Sequence, residues 1–552
     1  HFSSDYFVLR EKTMNDYSDM HKEYVDEVWF IEAPGKASQM QSILKEIGID
    51  ARVQATKGHF MKFSDNIREL GINKACQELD RAPVSEEIIA KIRNACEGVE
   101  KAVIATDADR EGEVIAWDVY ETIKDIVPLI LRVRLKAIDD ESIQDAIMEA
   151  TPIQKEDAIP GRTRAIIDRI IGSSYAKEGI VAGRIGSAIL GLCARGGMSS
   201  KEICLVAPAP ETNRPWVART PVISPLTMEI AEKLTKTKFP TMYSLSPPEV
   251  IRKKPEDMGR IMVRVSDDLG ISPKDTAEAM QIAYETGRLS YPRSSSRSMT
   301  KKAAKKLEKN FKKSGFKFNA ETVEDKDEMD AHDSPYPVGG LDISLDPERL
   351  GRVEGVRVLI GRNLVKTGQK ITKEKGDASI LREFLIKEGF NEDVADFVAK
   401  LDWQRENGPR IPGDKRLTES HIVKRRADAV LLEKCIEAGI GRPSTWANHI
   451  DRFFERELVD YDLNLTDKGR WFLEGTPNTL LNPKVSAAIE KACEAKINSE
   501  EVEGREPWER LAERIISALP GELKDVMQSG LEDRQKERTV SKDHNYGNMD
   551  RK

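Results

Sequence analysis

A short apolar run, Ala102-Val-Ile-Ala-Thr106, stops abruptly in three carboxylates at alternate positions, Asp107, Asp109 and Glu111. Such a run reads as a buried strand. In open α/β sheets ligands sit just beyond the carboxyl ends of strands, so these side chains project toward a site rather than into a core. Three neighbouring carboxylates repel one another unless a cation neutralises them, and hard oxygen ligands suit Mg2+. Taken alone, the same letters could be an acidic turn in water. A second strand signal upstream, Val28-Trp-Phe-Ile-Glu32-Ala-Pro-Gly35-Lys36, again ends in a carboxylate. Its Gly-Lys pair is not a phosphate loop, because Phe30 stands where the first glycine is needed and Ala37 where Ser or Thr would be.

Together these segments resemble the TOPRIM module of topoisomerases and bacterial-type primases, which carries a glutamate after one strand and D-x-D after a later one. The wording I-E-A-P-G-K and A-T-D-A-D-R-E-G-E is closest to type IA DNA topoisomerases. Ala55-Thr-Lys-Gly58-His59 is similar to that family's Gly-His turn, although a loop histidine reads the same way. Gly287-Arg-Leu-Ser-Tyr291-Pro-Arg293-Ser-Ser-Ser296 resembles the family's nucleophile motif, with serines where T-D-S is usual. Ala331-His332-Asp333-Ser-Pro-Tyr336 resembles H-E-A-I-R-P with tyrosine in the arginine's place. Arg416-Leu-Thr418-Glu419, then Gly439-Ile-Gly-Arg442-Pro-Ser444-Thr445-Trp446, resembles the closing segment. Arg164-Ala-Ile-Ile-Asp168-Arg169 and Gly183-Arg184-Ile-Gly186 stand where the family lines its groove for single-stranded DNA, Gly186 replacing a glutamine. Without the resemblance, Arg164 and Asp168 are simply an i,i+4 surface pair. The likeness spans about residues 28–515, with its motifs in the correct order.

The length of 552 residues requires several domains. Alternating strand-like runs (28–32, 101–106, 129–135) and helix-like runs (37–47, 84–97, 112–124, 140–150) predict a mostly parallel α/β domain. The expected organisation is an extension over 1–26, a TOPRIM domain over 27–150, and a helical, winged-helix-like base over 151–206 and 415–515. A β-rich arch over 207–270 and 376–414, a nucleophile-tyrosine domain over 271–375, and a C-terminal helix with a disordered charged tail over 516–552 complete it. The resemblance implies that these close into a torus. A hairpin-like Leu458–Leu465 fits the winged-helix end, and 529–552 lacks any periodicity.

The net charge is -7, so bulk electrostatics do not advertise a nucleic-acid binder. Charge is nevertheless segregated: Arg293–Lys317 holds ten Lys/Arg against Glu308, and Glu321–Asp333 seven acids against Lys326. Such a basic run could equally be one solvated helix face. Six scattered cysteines without C-x-x-C spacing predict no zinc and fit a reducing cytoplasm. No apolar run approaches a membrane span, no signal peptide precedes the first strand, and no Walker motif marks an ATP motor.

A tyrosine hydroxyl titrates near pH ~10 and needs adjacent cations to react at neutral pH. The resemblance implies Tyr291 as nucleophile on single-stranded or negatively supercoiled DNA. Arg293, Lys36 and His332 would stabilise phosphoryl charge, and Glu32 would serve the leaving 3′-oxygen. Asp107, Asp109 and Glu111 would hold one or two Mg2+ ions. Arg164, Asp168, Arg169, Arg184, Arg442, Ser444 and Thr445 would line the strand groove, with no ATP needed. A TOPRIM primase or nuclease would need the carboxylates but not Tyr291, and a non-catalytic DNA-binding relative would need neither.

Overall fold

The computed structural model describes residues 27–66, 70–175, 183–210, 214–324, 333–474, 476–521, 523–525 and 527. The predicted extension over 1–26, the tail over 529–552 and His332 lie outside these residues. The chain divides into two compact units. The first takes the described residues of His1–Ala188, Tyr284–Tyr291 and Gly475–Lys552; the second takes those of Ile189–Ala283 and Pro292–Glu474.

The first unit is built on a five-stranded sheet of β1 (Glu27–Ile31), β2 (Ala51–Ala55), β3 (Lys101–Ile104), β4 (Leu129–Arg132) and β5 (Thr151–Pro152), ordered β2-β1-β3-β4-β5. All pairings are parallel except the last. Strand β1 shows why an unbroken apolar run belongs here, since both faces of the sheet are covered. Trp29 and Ile31 pack on one side with α1 (Ala37–Glu46) and α4 (Asp140–Met148). Val28 and Phe30 pack on the other with α2 (Glu86–Asn94) and α3 (Arg110–Ile123). All four side chains are fully buried, each contributing roughly 1.5–3 kcal/mol of apolar transfer. The crossover from β1 leads outward to β2, and the one from β3 leads the other way to β4. The sheet therefore reverses its winding between β1 and β3, the topological switch point where α/β folds open a crevice.

A second core joins α5 (Lys155–Tyr175) to the helices Pro483–Cys493 and Pro507–Ser517, through Ile166, Ile170, Ile489, Trp508 and Leu511. Chain segments more than 300 residues apart thus form one helical layer.

The second unit holds a six-stranded sheet of β6 (Lys201–Ala207), β7 (Trp216–Pro221), β8 (Glu249–Ile251), β9 (Ile371–Lys375), β10 (Gln404–Asn407) and β11 (His421–Lys424), ordered β8-β9-β10-β7-β6-β11. Every pairing is antiparallel. Two expectations are corrected here. Residues 201–206 are not helical but form most of β6, whose alternating face buries Ile203 and Leu205. The segments read as β-rich also carry helices: Met228–Lys236, Met258–Leu269, Leu381–Lys387 and Glu392–Ala399. Met258–Leu269 had readable ends, Asp257 capping the Arg260 amide and Gly270 closing the helix at φ 69°. Its apolar stripe was obscured by interleaved Arg and Asp. The basic run becomes the helix Lys301–Lys313, which buries Ala304, Leu307 and Phe311 beneath a lysine-rich outer face. Val459 bridges Leu465 antiparallel, and Thr466 caps the helix Asp467–Leu473. Among the described residues no helix is long and apolar enough to cross a membrane.

Candidate active site

Glu32 follows β1 and Asp107 and Asp109 follow β3, so the switch point delivers the carboxylates to one place. The β3–α3 turn is held from below by Arg132, which is 1% exposed. Its guanidinium donates to the carbonyls of Ile104, Thr106 and Asp107 and to both oxygens of Glu113. Asp109 opens α3 by accepting from the Gly112 amide at 2.7 Å, the usual work of an N-cap. Gly112 is required there: a Cβ would lie 2.1 Å from the Asp107 carbonyl oxygen and 3.0 Å from Glu32 Oε1.

Tyr291 belongs to this unit through its backbone as well as its ring. Its amide donates to the Lys136 carbonyl, just past β4, at 2.7 Å. The chain reaches it through Gly287, whose φ of 67° and close approach to the Ile138 carbonyl exclude a side chain. The Tyr291 hydroxyl donates to Asp109 Oδ2. The ring is 4% exposed and meets Tyr284 edge-on at 5.5 Å. Tyr284 is fully buried and donates to Asp107 Oδ1 at 3.0 Å. Lys36, 1% exposed, ion-pairs with the same oxygen and lies 4.5 Å above the Tyr284 ring. Glu32 Oε1 accepts from the Asp107 amide at 3.1 Å.

Burial, reinforced by the neighbouring charges of Asp107 and Asp109 and only partly offset by Lys36, raises the Glu32 carboxyl to about 8. At neutral pH it is protonated, as a proton donor must be. Because the folded value lies above the unfolded one, the stabilisation is complete below the ordinary carboxyl range. It is lost as pH rises through about 8. In metal-free protein, the melting temperature of wild type relative to Glu32→Gln is therefore expected to fall between pH 5 and pH 9. A difference that stays flat across that interval would show an ordinary carboxylate.

The predicted metal ligands are present but engaged separately. Asp107 is met by Lys36 and Tyr284, Asp109 by Gly112 and Tyr291, and Glu111 faces His59 at 3.6 Å. Among the described residues, no three acidic, histidine or cysteine side chains are grouped to hold a metal. The donor chemistry nevertheless suits a hard cation, which would offset the repulsion between the neighbouring Asp107 and Asp109 carboxylates.

The expected strand-binding residues divide. Arg164 and Asp168 do not pair with each other, since Arg164 reaches Glu490 at 3.0 Å and Asp168 pairs with Arg184. Arg184 is 2% exposed, and its guanidinium serves Asp168, Glu490, the Ser486 carbonyl and the Ser486 hydroxyl. All five donors are used, so in this structure Arg184 is a buried tie between helices. Arg169 donates to the Leu70 and Asn66 carbonyls. In the second unit, Arg442 precedes the helix Pro443–Glu455, which includes Ser444, and the Thr445 hydroxyl closes its first turn. Arg293 and Tyr336 also lie in that unit, Tyr336 being buried.

Sequence reasoning missed Tyr284, Arg132 and Glu113. Tyr284 lies one helical turn before the Gly287 bend, and Arg132 interrupts an apolar strand; a buried arginine in such a strand was the available signal.

Residues 27–138 match the family model of the Toprim domain. DNA topoisomerase 1 of Campylobacter jejuni is 24% identical over 505 residues, which cover 78% of this chain and 69% of that protein. DNA topoisomerase 1 of Xylella fastidiosa is 22% identical over 529 residues, covering 80% and 63%. A plasmid DNA topoisomerase I of Xylella fastidiosa is 23% identical over 293 residues, covering 48% and 43%. The chain thus spans roughly half to two thirds of the length of these relatives. The structure of full-length topoisomerase I from Thermotoga maritima shares the fold, with a TM-score of 0.58 at 18% identity over 92% of this chain and 90% of that one.

Proposed function

We propose that this chain, a Toprim-bearing relative of the bacterial topoisomerase I proteins, is a type IA DNA topoisomerase. The reading rests on one observation above the others: the Tyr291 hydroxyl is seated on the Asp109 carboxylate at the switch point, where Glu32 accepts from the Asp107 amide. Its phenolic oxygen attacks a phosphodiester of single-stranded DNA and passes its proton to Asp109. The new Tyr291 O–P bond leaves a 5′-phosphotyrosyl link as the P–O3′ bond breaks, and Glu32 gives its proton to the departing 3′-oxygen. Religation runs the same transfers backwards. The link conserves the phosphodiester energy, so passing a strand and relaxing negatively supercoiled DNA require no ATP. Lys36, Arg293 and His332 are assigned to the charge growing on the phosphoryl oxygens. Asp107, Asp109 and Glu111 would hold Mg2+, which when bound offsets their repulsion and positions a phosphate. Arg164, Asp168 and Arg169, with Arg442, Ser444 and Thr445, are assigned to the single strand. With Tyr291 4% exposed, the site must open before a strand enters. This reading carries with it a cytoplasmic, nucleoid-associated location.

The test is negatively supercoiled plasmid incubated with and without Mg2+, in the absence of ATP, then run on native and denaturing gels. Relaxed topoisomers dependent on Mg2+, and protein-linked breaks on denaturation, are expected. Unchanged supercoiling with no protein-linked break would overturn this reading.

A further inference from the structure

The antiparallel sheet of the second unit is nearly split. Strand β7 pairs with β6 along six residues and β10 with β9 along four, yet β10 and β7 share only the Gln404–Val217 pair. Where they part, a cavity of about 530 Å³ opens, within the range of ligand sites. Arg214 spans the gap by donating to the carbonyls of Glu406 and Gly408, and Arg405 is fixed by Glu374 and by the Trp216 ring. The floor is thus built and held.

The charge of the lining is unlike that of the chain. Seven of its seventeen residues are Lys or Arg against two acids, in a protein of net charge -7. Both acids already have cations, Glu406 with Lys253 at 2.6 Å and Asp414 with Lys366 at 3.4 Å. Arg410 and Arg416 are exposed on the rim, and among the described residues neither has an ion-pair or hydrogen-bond partner. Cations drawn from four chain segments into one concavity focus a positive field. Guanidinium forks match phosphate oxygens, and Val217, Ile371 and Leu417 offer apolar wall for a sugar or base.

We propose that this cavity binds nucleotide phosphates, as a second nucleic-acid site remote in sequence from the Toprim carboxylates. The choice of a nucleic-acid strand over other polyanions rests on the proposed function; the phosphate chemistry does not.

All six cysteines are buried, so Thr418→Cys on the rim offers one accessible thiol for a fluorophore. The labelled full chain is titrated with dT20, with dTMP and with inorganic pyrophosphate. A saturable dT20 response that weakens with salt, and weakens about tenfold further in Arg410→Glu/Arg416→Glu, is expected. Because those arginines are exposed and have no partner among the described residues, the variant should keep wild-type melting and oligonucleotide cleavage. An equal response to dTMP at matched phosphate would overturn the strand and leave a free-nucleotide site. No response, or one indifferent to the charge reversal, would overturn the site itself. An absent covalent adduct in wild type would instead refute the topoisomerase reading while leaving the fluorophore result intact.

Discussion

Tyr291→Phe is expected to abolish covalent attachment to DNA and plasmid relaxation while leaving the fold and strand binding in place. The substitution removes one oxygen from a ring that stays pinned by its amide to Lys136 and edge-on to Tyr284. What is lost is a hydrogen bond to the Asp109 carboxylate, worth about 1.5–3 kcal/mol when one partner is charged. Asp109 keeps its helix-capping bond to Gly112, so α3 retains its start. Transesterification has no substitute for the phenolic oxygen. Wild-type protein trapped on an oligonucleotide labelled on the 3′ side of the break, the fragment whose 5′-phosphate is held, should carry the label on the peptide containing Tyr291. Tyr336 is the competing candidate, since it lies in another matched motif and is buried to a similar degree. Label on Tyr336, or an adduct persisting in Tyr291→Phe, would overturn the assignment.

The site was legible where local chemistry is stated in consecutive letters. An apolar run that ends in Glu32, and another that ends in Asp107 and Asp109, announces two strands whose ends face a crevice. Parallel pairing then follows from the intervening helices. What could not be read is what long-range packing decides. Nothing near Tyr284 announces that its hydroxyl meets Asp107, 177 residues away. Nothing near Arg184 announces a counter-charge at Glu490, so a groove contact and a buried tie look alike in sequence. The arch segments were legible only in part: prolines and threonines suggested strands, and β7, β8 and β10 do form there, whereas the helices beside them rest on apolar residues interleaved with charge. The sheet of the first unit depends on contiguous pattern, those helices on sparse pattern, and the first is the easier to read without a structure.

Replacing Asp107 and Asp109 together by asparagine is expected to eliminate Mg2+-dependent relaxation, but the two substitutions should differ sharply in stability. Asparagine serves well as an N-cap, so Asp109→Asn keeps the Gly112 bond and should melt close to wild type. Asp107→Asn instead strips the counter-ion from Lys36, which is 1% exposed. Removing one member of a buried ion pair strands the other charge and costs about 3–5 kcal/mol, whereas replacing both by neutral groups is often tolerated. Lys36→Met should therefore recover most of the stability lost in Asp107→Asn, although relaxation stays absent because both groups serve the reaction. Chemical denaturation of the four proteins in this cycle measures the coupling directly, with single-strand binding as the check on fold. A double variant no more stable than Asp107→Asn would mean that Lys36 and Asp107 are not partners in solution. Full relaxation by the Asp107→Asn/Asp109→Asn protein would remove the carboxylates from the chemistry altogether.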